Sequence, residues 1–227
     1  VLYENLEECI AAVPKLMHAN LHPQALEFME REIVRLSESY LGKSTFPQSF
    51  EGTDINAYLL VTFDGDDENQ LNEVIERASE VLLEAGALDV LVADTPQLRK
   101  DAWAARSTFL EAIEANTRLL DESDVVVPVS EIANYAAFIS SIAADYDFEV
   151  KSFGHAGDGN LHISNCSNDM DVKVFERQVA DFMKRAYAKA TELGGLISGE
   201  HGIGHGKLEY LAQTTNPVNM HLMEGIK

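Results

Sequence analysis

The segment FEVKSFGHAGDGNLHISN, Phe148 to Asn165, is the stretch whose reading decides the architecture. Its ends, FEVKSFG and LHISN, carry the β-branched and aromatic residues typical of strands, and a glycine-rich turn stands between them. Gly157 and Gly159 permit backbone angles that other residues resist, so the chain can reverse sharply there. The reversal makes an antiparallel pair and brings His155, at the end of the first strand, near His162 on the second.

Outward from this pair, strands and helices alternate, but the strands are short. Upstream lie a helix over SEIANYAAFISSIAADY, a strand DVVVP, and a helix that starts at Thr95-Pro96 and runs through WAARSTFLEAIEANT. Before these come a strand-like ALDVLVAD, a helix LNEVIERASEVLLEAGA closed by Gly86, and a strand AYLLVTF ended by an acidic turn. GKSTFPQSFEGTD reads as a loop. Leu26, Met29, Ile33 and Leu36 recur at helical spacing, which predicts one helix over QALEFMEREIVRLSESYL; Leu6, Ile10, Val13 and Leu16 predict another before Pro23. Downstream, Val172, Phe175, Val179, Phe182 and Ala186 mark a long helix, and GLISG is the last strand candidate. The expected class is α+β, with helices packed on one face of a mainly antiparallel sheet.

A second segment, SGEHGIGHGK from Ser198 to Lys207, shares the glycine-and-histidine character of the first. Together the two hold four of the seven histidines, each segment at a strand end where loops carry function on a rigid scaffold. Two imidazoles and a carboxylate, His155, His162 and Glu200, form a common donor set for a divalent metal with open positions. His201 is then free to act as a base.

Composition narrows the partners. Lys and Arg total 17 against 38 Asp and Glu, a formal charge of −21, which repels phosphate backbones and disfavours nucleic-acid binding. No apolar run approaches a membrane span, and VLYENLEECI lacks the features of a signal peptide. Cys9 and Cys166 form no metal or disulfide pattern, so both are expected to be inert, and a reducing cytoplasm is the default location. There is no GxGxxG after a first strand and no P-loop. The last residues, NPVNMHLMEGIK, stop within a helix-like pattern, which predicts a piece of a longer chain.

The two segments carry a resemblance. GHAGDGNLH and SGEHGIGHGK resemble the paired signatures of FAD-linked oxidoreductases of the vanillyl-alcohol oxidase type, in the branch with D-lactate dehydrogenases, the glycolate oxidase FAD subunit and D-2-hydroxyglutarate dehydrogenases. PQALEFME, AYLLVTFDG, RSTFLEAI and DVVVPVSEI resemble further stretches of that family, so the likeness covers nearly the whole chain. The resemblance implies a ferredoxin-like substrate, or cap, domain spanning residues 1–227, with the FAD-binding domain N-terminal to it in the same polypeptide. It implies that His155, His162 and Glu200 hold a divalent metal, zinc first, and that His201 takes the hydroxyl proton of a 2-hydroxy acid while hydride leaves for FAD. Arg106 would grip the substrate carboxylate; Ser164, where several relatives have Asn, would face substrate; Asn160 and Gly202 would lie on the cofactor side. Lys207 and the metal would locally reverse an acidic field. Relatives acting on 2-hydroxyglutarate carry a lysine where this chain has Asp121, Glu122 and Ser123, which favours a small monocarboxylate such as lactate or glycolate. An electron-acceptor protein or quinone would follow, with the full-length enzyme cytoplasmic or peripheral to the inner membrane. The competing classes are a non-redox metal-binding module or partner subunit and a metal-dependent hydrolase.

Overall fold

A computed structural model describes residues 1–227. Six strands form one sheet, antiparallel throughout: β1 (Leu2–Tyr3), β5 (Ala57–Thr62), β2 (Ala25–Glu30), β7 (Glu149–His155), β8 (Asn160–Ser167) and β6 (Leu119–Val126), in that spatial order. Inside the segment predicted to be a loop, β3 (Ser49–Phe50) and β4 (Thr53–Asp54) make a small separate hairpin. Its turn residues Glu51 and Gly52 both have positive φ, the geometry two-residue hairpins favour.

Helices cover both faces of the sheet, which corrects the expectation of one covered face. Helices α1 (Leu6–His18), α3 (Glu68–Glu84), α6 (Ile132–Ala143) and α7 (Val172–Glu192) bury their apolar stripes against Leu26, Phe28, Leu59, Val125, Leu161 and Ile163. On the other face, α2 (Arg31–Leu41) and α5 (Phe109–Asn116) pack over Met29, Tyr58 and Phe153, and α4 (Pro96–Ser107) lies against both helices. The remainder of that second face has no helix over it and is polar. Two short helices, α8 (Leu208–Thr214) and α9 (Pro217–Ile226), end the chain.

Four local expectations change. The helix predicted over 24–41 is strand β2 followed by α2, because β2 lies between β5 and β7 and is buried on both faces. A strand apolar on both sides has no clean period of two, so its residues read equally well as a helical stripe. The single helix from Thr95 to Thr117 divides at Thr108, whose hydroxyl bonds back to the Ala104 carbonyl and meets the Ser37 hydroxyl. ALDVLVAD is not a strand: only Asp89 bridges to Leu2, and the two-residue edge β1 offers nothing further to pair with. GLISG makes one bridge, Leu196 to Val126, and then turns away. The N–H groups that would extend a ladder there go to a side-chain carboxylate instead.

Candidate active site

The site lies on the polar part of the second sheet face that no helix covers, and strand register assembles it. Glu27 on β2 stands opposite His155 on β7; Phe153 stands opposite His162 on β8, which in turn stands opposite Asp124 on β6. Directly opposed residues share a face. Hence five side chains from four strands converge, although their sequence positions span almost a hundred and forty residues.

The expected reversal after His155 is present as a single 3-10 turn over Ala156–Asp158. It ends at Gly159, with φ of 76° and a Cβ position 1.9 Å from the Val127 carbonyl oxygen, so no side chain fits there. The turn brings the His155 and His162 rings to 5.5 Å between centroids. From the other segment, the His201 ring lies 5.2 Å from that of His162.

The tautomers follow from the partners. His155 Nδ1 lies 2.8 Å from Glu27 Oε1, and this hydrogen bond is the main cause that raises the His155 pKa above its ordinary value. With the Nδ1 proton directed at Glu27, Nε2 presents its lone pair to Glu200 Oε1 at 3.4 Å. His162 Nε2 lies 3.1 Å from the same oxygen. Burial, then the neighbouring His155, Arg106 and His201, pulls the His162 pKa down to about 4, so this ring is neutral at neutral pH. The donor atoms of His155, His162 and Glu200 all lie within 4.8 Å of one another. His155 Nε2, His162 Nε2 and Glu200 Oε1 turn toward one another as a nitrogen-and-oxygen donor set, and the buried His162 Nδ1 has no protein partner, so the residues fit a divalent metal. Glu122, His162 and His201 meet the same 4.8 Å limit. The first set is the better built, because Glu27 orients His155, whereas His201 Nδ1 is 4.0 Å from Asp124 Oδ1 and has no orienting hydrogen bond.

Arg106 is buried. Its Nε and Nη2 donate to Glu27 Oε2 at 3.0 and 2.8 Å, and its guanidinium lies over the Phe153 ring, 4.9 Å from the centroid. Only Nη1 is left without a protein partner. Burial works to raise the Glu27 carboxyl, but the bonds from His155 and Arg106 outweigh it and hold the pKa below the usual value. Ser164 is buried on the His162 side of β8, and its hydroxyl is unpartnered. Asn160 is buried with its amide nitrogen 2.0 Å from where a Cβ on Gly199 would sit, so it packs beneath the second loop. Gly202 is exposed, with φ of 79° and open space around it.

Two site residues were given no role at the sequence level. Glu27 and Asp124 stood inside PQALEFME and DVVVPVSEI, stretches read as strand or helix pattern. The available signal was an acidic residue at an inward position of an apolar run, where a charge survives only if paired. Asp124 is fully buried and accepts from Lys207 Nζ at 2.8 Å. Burial alone would raise its carboxyl, yet the bonds from Lys207 and the backbone N–H groups of Glu200 and His201 hold it far below the carboxylate range. Lys207 is therefore engaged and does not serve as a free cation for an anionic substrate.

The fold is thus an antiparallel sheet with helices on both faces, carrying a His-His-Glu set beside a further histidine. The chain belongs to the family described as FAD linked oxidases, C-terminal domain, whose model matches residues 1–227. It is 64% identical over 225 residues to a D-lactate dehydrogenase from Anaerostipes hadrus, covering 99% of this chain and 47% of that protein. It is 34% identical over 229 residues to the glycolate oxidase subunit GlcD of Bacillus subtilis, covering 100% and 46%. Among solved structures, p-cresol methylhydroxylase with substrate bound shares the fold, with a TM-score of 0.65 at 14% identity, over 100% of this chain and 48% of that one. The chain thus spans about half the length of the relatives it matches.

Proposed function

We propose that this chain is the substrate-binding half of an FAD-dependent 2-hydroxy-acid dehydrogenase acting on D-lactate, joined in the same polypeptide to the domain that holds FAD. The observation that carries the reading is the convergence of His155 Nε2, His162 Nε2 and Glu200 Oε1 beside His201 on the helix-free part of the sheet face. Identity of 64% to a D-lactate dehydrogenase favours D-lactate among hydroxy acids.

In this reading His155, His162 and Glu200 hold a divalent metal, zinc by the nitrogen-and-oxygen donor set. Such an ion lowers the pKa of a hydroxyl bound beside it. FAD supplies the acceptor for the hydride from the α-carbon. The chain's own residues do the rest. His201, half exposed on its loop, takes the hydroxyl proton as the C–O bond becomes a carbonyl. Arg106 presents Nη1 to the substrate carboxylate while Glu27 fixes the rest of the guanidinium. Phe153 stacks on His162 at 5.0 Å and keeps water from that side of the ring. Ser164 lines the floor, Gly202 leaves open space on its loop where a cofactor could approach, and Asn160 acts by supporting the loop. Glu122 lies on β6 opposite Ser164, and its negative charge would oppose a second substrate carboxylate, which favours a monocarboxylate. Electrons leaving the flavin pass to an acceptor protein or a quinone. Two buried free cysteines fit a reducing, cytoplasmic location.

Metal ligands and base should separate in experiment. His162→Ala and Glu200→Ala are each expected to lose most of the metal, because a three-donor site with one donor removed is poorly held. His201→Ala should keep metal near the wild-type level while turnover falls roughly 10²–10⁴-fold. Elemental analysis of each variant, beside D-lactate turnover, decides the assignment. Metal retained in both ligand variants would sink the proposed centre, and metal lost from His201→Ala would mean that base and ligand are exchanged.

A further inference from the structure

The loop Ser198–Lys207 presents Glu200 and His201, yet little in its own sequence would hold it still. It forms no strand, and Gly199, Gly202, Gly204 and Gly206 give it wide backbone freedom. Ordering such a segment carries a large conformational-entropy cost. Glu200, His201 and His205 are exposed, and Ile203 alone of the loop's side chains packs, partly buried, against the core, so apolar packing meets little of that cost.

A single carboxylate holds both ends. Asp124 Oδ2 accepts three successive backbone N–H groups, from Gly199 at 2.6 Å, Glu200 at 2.5 Å and His201 at 3.1 Å. Ser198 Oγ donates to Asp124 Oδ1 at 3.1 Å. At the far end Lys207 Nζ donates to Asp124 Oδ1 at 2.8 Å and to the Ile197 carbonyl at 3.1 Å, which closes the loop on its own start. Successive N–H groups turned toward one anion form a concave cradle, here filled by a side chain of the fold. Close approach matters as well. A Cβ on Gly199 would lie 2.0 Å from the Asn160 amide and 3.4 Å from Asp124 Oδ2.

We propose that Asp124 is a positioning residue that seats the 198–207 loop, and with it Glu200 and His201, over the histidines of β7 and β8. The inference rests on the roles proposed above for Glu200 and His201. Asp124 is not the orienting acid of a catalytic dyad, because the 4.0 Å from its Oδ1 to His201 Nδ1 exceeds hydrogen-bond range. It acts through the backbone. Its strand position opposite His162 ties the loop to the rigid part of the site.

The test is amide hydrogen exchange on the intact flavoprotein, read by mass spectrometry for peptides covering 197–208, together with D-lactate kinetics. Asp124→Asn keeps the shape but turns an NH2 toward donors, so exchange across 199–203 should rise at least about tenfold while α6 and α7 stay protected. In the same variant kcat should fall roughly 10²-fold with a much smaller change in KM, as expected for a misplaced group. Lys207→Gln, which keeps the carboxylate, should loosen 204–208 more than 199–203, and it decides the matter if Asp124→Asn fails to fold. Loop protection unchanged in the folded variants overturns the proposal. Loosened exchange with wild-type kcat upholds the anchor and instead sinks the roles given to Glu200 and His201, which His201→Ala checks independently.

Discussion

Glu27 divides its two carboxylate oxygens between an arginine and a histidine, and this division sets the state of both. Oε2 takes Nε and Nη2 of Arg106, and Oε1 takes Nδ1 of His155. Both side chains of the ion pair are nearly buried, at 10% and 5% exposure, so neither charge is compensated by water. Arg106→Met should therefore cost about 3–5 kcal/mol of folding stability, the usual penalty for stranding a buried charge. Adding Glu27→Gln to that variant should recover much of the loss, measured by chemical denaturation. An additive pair of losses would mean that the two groups do not depend on each other. The milder Arg106→Lys keeps the charge but not the fork, and kcat/KM for D-lactate should fall by about 1.5–3 kcal/mol. Unchanged kinetics there would remove Arg106 from the substrate grip.

At the scale of elements, the β7–turn–β8 hairpin does the most to build the site, and its tightest point is Gly159. Alanine there meets two penalties. The left-handed backbone costs about 1–2 kcal/mol, and the added Cβ collides with the Val127 carbonyl at 1.9 Å. Gly202→Ala meets only the first, since its φ is 79° but no atom lies within 4 Å of the added carbon. Thermal or urea denaturation should show Gly159→Ala as clearly the more damaging of the two; equal losses would contradict the close packing of the turn. This hairpin was legible in the sequence because a glycine turn between two β-rich runs is a local signal. So were α1, α3, α6 and α7, whose apolar stripes face a single layer. Strand β2 was not, because burial on both faces erases the period that distinguishes strand from helix. The His-His-Glu set was visible as two motifs, but Glu27 and Asp124 join it only through strand register, which pairs residues distant in sequence. Likewise GLISG carries strand-forming residues, and only the competing carboxylate of Asp124 diverts its continuation.

For the whole molecule, helices cover one sheet face and leave part of the other polar and free of helix, where His155, His162, Glu200 and His201 gather. The formal charge of −21 makes the surroundings hostile to an anion, and within the site the only cationic side chain near the histidines with an unpartnered donor is Arg106. No helix is long and apolar enough to cross a membrane. Under the proposed function, an anionic substrate would depend on a metal at His155, His162 and Glu200 and on one guanidinium, which would suit a compact acid with one carboxylate. The most direct test is an anaerobic addition of D-lactate to the intact protein while the visible absorbance band of its flavin is followed. The account expects stoichiometric bleaching with D-lactate, and none with the same concentration of D-lactate after His201→Ala over the same interval. A flavin that stays oxidised with D-lactate in the metal-replete wild-type protein would contradict it.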